Sequence, residues 1–366
     1  MKILQISSAS TFGGGERYVV DLTNALQSRG HDLYVVVRPN SPLPGYLEIP
    51  KDNIKELPLR NALDAPSARD LDRFIKEHEI DIVHAHMARD YSLAAYATRR
   101  NPSARFFVTR HVLFKLNSLH RRTLSRATRV IAVSHAVERE LQGQQLVSDE
   151  QIAVIPNGID VEKFKRAEST FDRTQFLSEK NLPDARIWVG TIGELRTLKR
   201  HDDFIRAAAK VAQGNPDVHF IVAGIDPSKT GEVRRTLKHL VAELGLKDRV
   251  HFLGWLDNAT QLYCLLDVFV SASEMESFGL VIAEAMSVGK PVVATMTEGA
   301  MEVIEDEKTG MLVPIGDPER MAEAINELLA SEDKRRELGT IAREAVNRKF
   351  SLGRMVDDIE RLYLMK

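Results

Sequence analysis

Short apolar runs rich in β-branched residues alternate with longer amphipathic segments along almost the whole chain. Residues 2–7 predict a strand, residues 16–28 carry apolar side chains at helical spacing, and residues 33–37 predict the next strand. Gly30 stands between them, where a glycine ends many helices. Strands that are apolar on both faces and separated by helices form parallel sheets covered by helices on both sides. The alternation therefore predicts an α/β fold.

The same alternation occurs twice, which indicates two domains, as 366 residues also suggest at about 150 residues per domain. The polar, turn-rich stretch at residues 156–184 separates the two series and predicts an interdomain linker. The first series adds predicted helices at 67–78, 91–100 and 116–126 and strands at 81–84, 105–109 and 129–133. The second has predicted strands at 187–192, 218–223, 250–253, 268–270 and 291–294, and helices at 202–211, 232–243, 280–287 and from 318 onward.

Composition excludes several classes of protein. Hydrophobic residues make up 43% and charged residues 28%, which is typical of a globular chain. The 50 basic and 52 acidic residues give a net charge of -2, so we expect no nucleic-acid partner. Cys264 is the single cysteine and is predicted to be a buried structural thiol. No run approaches the roughly 18 apolar residues of a membrane span. We therefore expect a cytoplasmic protein.

Gly13, Gly14 and Gly15 lie between the first predicted strand and helix. Glycines allow backbone amides to approach a phosphate, and a helix N-terminus favours an anion. A tight turn explains the three glycines equally well. The spacing is not G-x-G-x-x-G, which disfavours a nicotinamide dehydrogenase.

Glu276 and Glu284 give the strongest functional signal, in the segment EMESFGLVIAEAM. Phe278, Gly279 and Leu280 lie between them at the start of a predicted helix, where unpaired amides can meet a phosphate. Because the glutamates border an apolar run, we expect them to be buried and to need partners such as sugar hydroxyls.

At these residues the chain resembles the retaining nucleotide-sugar glycosyltransferases of family 4. The likeness extends nearly end to end, through FGGGERYVVDL, DIVHAH, VTRH, VIAVSHAV, VIPNGIDVEKF, RVHFLGW, LDVFVSAS, GKPVVAT and TGMLVPIGDPERMAEAI. It implies the α/β GT-B architecture, in which two Rossmann-like doubly wound parallel-sheet domains face each other across a cleft. The acceptor domain would comprise residues 1–165 and a final helix at 351–366, and the nucleotide-sugar donor domain residues 166–350.

The resemblance also implies roles for individual residues. Glu276 would bind hydroxyls of the donor sugar, Glu284 would bind the ribose, and His111 would lie close to the anomeric carbon. The implied donor-binding residues are Gly13, Gly14, Gly15, Ser277, Phe278, Gly279, Leu280 and Glu284. From its own sequence context, His111 is equally well explained as a satisfied hydrogen-bond donor at a strand end, as are His84 and His86.

The donor diphosphate needs fixed positive charge, because charge on the leaving group grows in the transition state. The family places an arginine and a lysine here, and Lys199 matches, but Glu194 replaces the arginine. Three explanations stay open: Arg196 substitutes, Arg200 joins Lys199, or Glu194 faces a cationic acceptor. We expect Arg196 and Lys199 to hold the diphosphate; solvated loop charges are the simpler alternative.

Met301 and Glu298 depart from the family's usual proline and glycine in a loop near the donor sugar, so the identity of the sugar is left open. The resemblance implies no metal and no cofactor. Asp70 and Asp72 imitate a metal-binding D-x-D, but they fall within an amphipathic helical pattern and are expected on a solvated face.

Nine basic and no acidic residues lie between Asp90 and Glu138. Residues 115–129 predict a basic amphipathic helix. The stretch at 99–129 is explained by peripheral contact with the anionic inner face of a membrane, by a phosphorylated or acidic acceptor, or by a solvated helix. RNA binding is less favoured, because few aromatic residues are present to stack on bases.

The sequence thus predicts a retaining glycosyltransferase that moves a sugar from a nucleoside-diphosphate sugar to a hydroxyl acceptor. We expect a role in cell-envelope polysaccharide, lipopolysaccharide or glycolipid synthesis, with an acceptor that is lipid-linked or phosphorylated as one expectation. A sugar-nucleotide epimerase or phosphorylase on the same fold and a catalytically silent sugar-nucleotide scaffold remain alternatives.

Overall fold

The chain separates into two compact units. The first consists of Met1–Gly158 together with the helix that begins at Leu352, and the second consists of Ile159–Ser351. The computed structural model describes residues 1–228, 230–256 and 258–365. Each unit contains one sheet of parallel strands with helices on its faces. The predicted doubly wound α/β class is therefore confirmed.

The first unit has a seven-stranded sheet in the order β3-β2-β1-β4-β5-β6-β7. Its strands are β1 (Lys2–Ser7), β2 (Asp32–Val37), β3 (Ile54–Glu56), β4 (Ile82–Ala85), β5 (Arg105–Arg110), β6 (Arg129–Ala132) and β7 (Ile152–Val154). Its helices are α1 (Gly14–Ser28), α2 (Ala65–His78), α3 (Ala88–Arg100), α4 (His120–Leu124), α5 (His135–Gln144) and, from the chain end, α15 (Leu352–Leu364). The strand order reverses direction between β1 and β4, and a ligand crevice is expected beyond the carboxyl ends of such strands.

The second unit has a six-stranded sheet in the order β10-β9-β8-β11-β12-β13. Its strands are β8 (Ile187–Ile192), β9 (Val218–Ala223), β10 (Val250–Gly254), β11 (Val268–Ser271), β12 (Val292–Thr295) and β13 (Met311–Val313). Its helices are α6 (Val161–Ser169), α7 (Arg173–Glu179), α8 (His201–Gly214), α9 (Glu232–Glu243), α10 (Thr260–Leu265), α11 (Leu280–Ser287), α12 (Glu298–Val303), α13 (Pro318–Ala330) and α14 (Glu332–Lys349). Here the order reverses between β8 and β11.

The stretch predicted as a linker is not irregular. It contains α6 and α7, which begin after Asp160 and Asp172, and each aspartate accepts a backbone N–H of the following first turn. Phe164 and Phe176 from these helices are buried in a hydrophobic cluster in the core of the second unit, where Phe164 packs against Tyr263. The boundary between the two units falls inside this stretch, between Gly158 and Ile159. Most of the stretch is nevertheless helical, because capping aspartates and spaced aromatic residues start two short helices within polar surroundings.

The basic helix predicted at residues 116–126 is much shorter in the structure, where α4 has only five residues. Before it, the backbone N–H of Leu116 donates to the side chain of Gln144 rather than entering a helix. After it, Arg126 and Ala127 close tight turns on Thr123 and Leu124, and the chain enters β6. Thr128 and Arg129 then pair with β5, which ends the helical segment on that side.

The helix α15 completes the core of the first unit. Its apolar face buries Met355, Val356, Ile359, Leu362 and Tyr363. Across the described residues, no helix is both long enough and apolar enough to cross a bilayer.

Candidate active site

The carboxyl ends of β8 and β11 lie side by side in the second sheet, at its reversal of strand order. The loop after β8 carries Lys199, and the loop after β11 carries Glu276. The two loops are joined by a hydrogen bond from the backbone N–H of Glu274 to the carbonyl of Leu198, at 2.8 Å. This edge of the sheet therefore brings together residues that are distant in sequence.

Glu276 forms the centre of this cluster. Its Oε1 accepts hydrogen bonds from Lys199 Nζ at 2.6 Å and from Ser273 Oγ at 2.7 Å. The Glu276 side chain is 11% exposed and that of Lys199 28%, so the pair is sheltered but accessible to a ligand. Thr295 at the end of β12 fixes the loop from below, through Oγ1 donating to the Ser273 carbonyl at 2.5 Å.

The N-terminus of α11 follows directly. Gly279 has φ +92, a left-handed conformation that side chains rarely adopt, and its carbonyl accepts from Ile282 and Ala283. The Phe278 ring is buried against Phe350, which leaves the peptide groups around it to form the edge of the site. The first amides of a helix have no acceptor within it, so this end can bind an anion.

Glu284 lies one turn into α11 and accepts a hydrogen bond from the Tyr263 hydroxyl at 2.7 Å. It is partly buried, as expected from its apolar surroundings. Ser277, also partly buried, lies between Glu276 and the helix start. Met301 and Glu298 belong to α12, whose Gly299 packs so closely that a Cβ there would be 2.5 Å from the Glu276 carbonyl oxygen.

Glu194 and Arg196 form an ion pair with each other, Arg196 Nε lying 2.5 Å from the Glu194 carboxylate. The glutamate is thus neutralised locally. Arg200 is held instead by Asp203 at 2.5 Å. Of the basic residues predicted to meet a diphosphate, only Lys199 reaches Glu276 in the described contacts.

In the first unit, Gly13–Gly15 begin α1 just beyond β1. The Gly13 N–H donates to the Glu16 carboxylate at 2.9 Å, so a side chain already occupies part of this helix end. Gly15 packs against His111, since a Cβ at Gly15 would lie 3.6 Å from the imidazole. The glycines therefore permit close approach of α1 to the residue that follows β5.

His111 belongs to a cluster with His84 and His86. Its Nε2 lies 3.2 Å from His86 Nδ1, and the two rings are stacked with centroids 5.5 Å apart. Burial, followed by the nearby charge of Arg110, lowers the pKa of His111 to about 3. His111 is thus a neutral imidazole at physiological pH, suited to hydrogen bonding rather than to proton abstraction.

Sequence reasoning missed Ser273 and Tyr263, which hold the two glutamates, because a serine and a tyrosine on separate elements carry no spacing signal.

Burial raises the pKa of the Cys264 thiol to about 11, which fits a structural residue. Asp70 pairs with Arg73, and Asp72 with Arg100, on the surface of the first unit. Within the described residues, no group of three or more His, Cys, Asp or Glu side chains could hold a metal ion.

Two family descriptions match the chain: "Glycosyltransferase Family 4" over residues 12–163 and "Glycosyl transferases group 1" over residues 172–345. N-acetyl-alpha-D-glucosaminyl L-malate synthase of Bacillus anthracis is 30% identical, with 98% of this chain and 95% of the relative covered. UDP-Gal:alpha-D-GlcNAc-diphosphoundecaprenol alpha-1,3-galactosyltransferase of Escherichia coli is 27% identical, with 100% and 97% covered.

Among solved structures, Anabaena HepE in complex with UDP and glucose superimposes with a TM-score of 0.86 at 24% identity, with 100% of both chains covered. This likeness confirms the predicted GT-B fold. The class defined by fold and sequence is that of the glycosyltransferases. Within that class, the chain belongs to glycosyltransferase family 4.

Proposed function

We propose that this glycosyltransferase is a retaining enzyme that transfers a sugar from a nucleoside-diphosphate sugar to a hydroxyl acceptor. The observation that carries the proposal is the Glu276–Lys199–Ser273 cluster beside the N-terminus of α11. A carboxylate, an ammonium and the first amides of a helix form a set that suits sugar hydroxyls and a diphosphate together. The relative named for UDP-galactose and the fold relative with bound UDP support such a donor.

In the proposed reaction, Lys199, joined by Arg196, and the amides of residues 278–280 stabilise the departing diphosphate, while Glu276 positions the sugar through its hydroxyls. Glu284 binds the ribose. The acceptor hydroxyl attacks from the face that the diphosphate leaves, and a diphosphate oxygen takes its proton. No side chain is then required as a strong base, which agrees with the lowered pKa of His111.

We propose that the first unit binds the acceptor and that the pathway is cell-envelope polysaccharide, lipopolysaccharide or glycolipid synthesis. The relative whose name contains diphosphoundecaprenol supports a lipid-linked acceptor. We further propose a cytoplasmic enzyme that contacts anionic lipid through residues 99–129. Phe114 and Leu119 are 55% and 79% exposed there, near the exposed Arg121 and Arg122.

The donor is tested by thermal shift against a panel of nucleoside diphosphates and their sugars. A ligand at about 100 times its Kd adds about 2.7 kcal/mol to the free energy of unfolding, which is readily detected. The anomeric configuration of the transfer product is then read by NMR. We expect an α-linked product from an α-linked donor; a β-linked product would reject the retaining mechanism. Conversion of the donor without any acceptor would indicate an epimerase instead.

Lipid contact is tested by sedimentation with vesicles that contain anionic phospholipid. We expect Arg121→Gln with Arg122→Gln to reduce the bound fraction, because each basic residue near the surface contributes about 1 kcal/mol. The control is Arg69→Gln with Arg73→Gln, which removes the same charge from the exposed side of α2. Equal losses in both double variants, or no loss in the first, would contradict a specific membrane face.

A further inference from the structure

A buried polar layer lies between the first sheet and the two helices α1 and α15. Gln5 in β1, His84 in β4 and His86 directly after β4 are all at most 3% exposed. The ring of Tyr18 from α1 packs against His111, and the ring of Tyr363 from α15 packs against His84. Such polar groups in a core require defined hydrogen-bond partners.

The partners form two branches that lie against each other, since the rings of His84 and His86 have centroids 4.3 Å apart and the Gln5 side chain also interacts with the Tyr363 hydroxyl. One runs from Gln5 Oε1 to His86 Nε2 at 2.7 Å and from His86 Nδ1 to His111 Nε2 at 3.2 Å. The other joins His84 to Thr109 Oγ1 and to the Tyr363 hydroxyl, each at 2.6 Å. The first branch ends in a direct hydrogen bond to His111.

All three imidazoles are neutral. Burial, followed by the proximity of His111, lowers the pKa of His84 to about 3, and burial with both neighbouring histidines lowers that of His86 well below its usual value. A neutral imidazole has one N–H and one nitrogen lone pair. Each ring in the first branch therefore donates through one nitrogen and accepts through the other.

The direction of these bonds follows from Gln5. With the amide oriented as in the structure, Gln5 Oε1 faces His86 and can only accept, so His86 carries its proton on Nε2. His86 Nδ1 is then the acceptor, and the proton between the two rings must belong to His111 Nε2. The remaining nitrogen of His111, Nδ1, carries a lone pair. It has no hydrogen-bond partner among the described residues, and the His111 side chain is partly exposed.

We propose that Gln5 and His86 are positioning residues that hold His111 as the Nε2–H tautomer and present its Nδ1 as an acceptor for a substrate hydroxyl. This inference deepens the proposed function and rests on His111 contacting substrate. The arrangement selects a ligand that donates a proton to the imidazole, and it disfavours a ligand oxygen that only accepts. The buried polar layer thus requires a substrate hydroxyl to point its hydrogen at His111.

The tautomer is measured directly by ¹⁵N NMR of protein labelled at histidine, without any substrate. Protonated and unprotonated ring nitrogens have well-separated shifts, and two-bond correlations to the ring protons distinguish Nδ1 from Nε2. We expect His111 to show an unprotonated Nδ1 in the wild-type protein. A protonated Nδ1, or averaging between the two tautomers, would overturn the proposal.

Two substitutions at one position separate hydrogen bonding from packing. In His86→Gln, the amide can still donate to Gln5 and accept from His111, so the tautomer should persist. In His86→Leu both bonds are lost, and we expect averaging of the His111 tautomers and a loss of roughly tenfold in kcat/KM, the size of one net hydrogen bond. His86→Gln should recover most of that loss.

Phe106→Leu is the matched control, because it shrinks an equally buried ring in β5 that makes no ring contact with the three histidines among the described residues. It should lower the melting temperature but leave the His111 nitrogen shifts unchanged. Equal disturbance of His111 by both leucine variants would mean general core damage and would overturn the specific role. The NMR result stands even if no sugar transfer is found, so failure of the proposed function would be recognised separately.

Discussion

The Glu276 side chain accepts both of its described hydrogen bonds on Oε1, which leaves Oε2 able to accept from a ligand hydroxyl within the described contacts. We expect Glu276→Ala to reduce kcat/KM by roughly a hundredfold or more, because a charged hydrogen bond to the donor and the partner of Lys199 are lost together. Fold should be retained, as judged by circular dichroism and melting temperature. Glu274→Ala is the control, since that side chain is 50% exposed on the same loop.

The pair Glu194–Arg196 gives opposite expectations for its two members. Removing the carboxylate in Glu194→Ala frees the guanidinium for a diphosphate, so donor Kd should fall. Arg196→Ala should raise Kd, because positive charge is lost while Glu194 remains. Titration calorimetry with the donor distinguishes the two. Weaker binding in Glu194→Ala would instead favour a glutamate that contacts a cationic ligand group.

Glu276 and Glu284 could be singled out from the sequence because both flank one predicted helix start. The contact of Glu276 with Lys199 could not, because it depends on β8 lying beside β11 in the sheet, and the two residues are 77 positions apart. The pairing of Glu194 with Arg196 was equally hidden, since the sequence does not fix which way two neighbouring loop side chains turn. The proposed roles of the site residues stay predictions.

At the scale of elements, the histidines supplied by β4 and by the end of β5 make the first unit sensitive to acid. His84 and His111 have pKa values of about 3 in the folded chain, against 6.5 when exposed. Between these values the unfolded chain binds more protons, so stability rises with pH across this window. Each such histidine adds about 1.4 kcal/mol per pH unit to the free energy of unfolding.

Asp90, in the first turn of α3, changes the free energy of unfolding with pH in the opposite direction to the histidines. Burial raises its pKa from 3.8 to about 6, so its contribution is present at low pH and is lost as the pH rises through that range. The histidines outnumber it, and the urea midpoint should fall on acidification from pH 6.5 to 4.5. His84→Leu should flatten this dependence. A midpoint that is independent of pH in wild type would contradict neutral buried histidines.

The loops that follow β8 and β9 touch through their backbones. Gly224 has φ +144, and a Cβ there would lie 1.8 Å from the Gly193 carbonyl oxygen. We expect Gly224→Ala to cost roughly 2–4 kcal/mol and to displace the loop that carries Glu194 and Lys199. Gly214→Ala, where no atom lies within 4 Å, is the control and should be neutral. Chemical denaturation of both variants provides the measurement.

Long strands and helices were predictable because the hydrophobic period is sustained; α9 and α11 begin and end where the sequence indicated. The strands β3, β7 and β13 were missed, as each has three residues and too little pattern. The length of α4 was overestimated. Its basic residues recur at helical spacing, but the segment lacks the apolar face that a longer helix needs for packing.

For the whole molecule, we propose catalysis without a bound metal, since Lys199 and helix amides supply the positive charge near the diphosphate. Transfer activity should then be unchanged by EDTA after dialysis and should not rise when Mg²⁺ or Mn²⁺ is restored. The control is a metal-dependent glycosyltransferase treated in the same buffer. A loss with EDTA that Mn²⁺ reverses would contradict this proposal.

The placement of α15 has a consequence for synthesis on the ribosome. The second unit is continuous in sequence and can fold as soon as residue 351 has emerged. The first unit is translated first but stays incomplete, because Tyr363 meets His84 across 279 positions. Its apolar surface beneath α15 remains uncovered until that helix has been made, so the unit whose synthesis begins first completes its fold after the other.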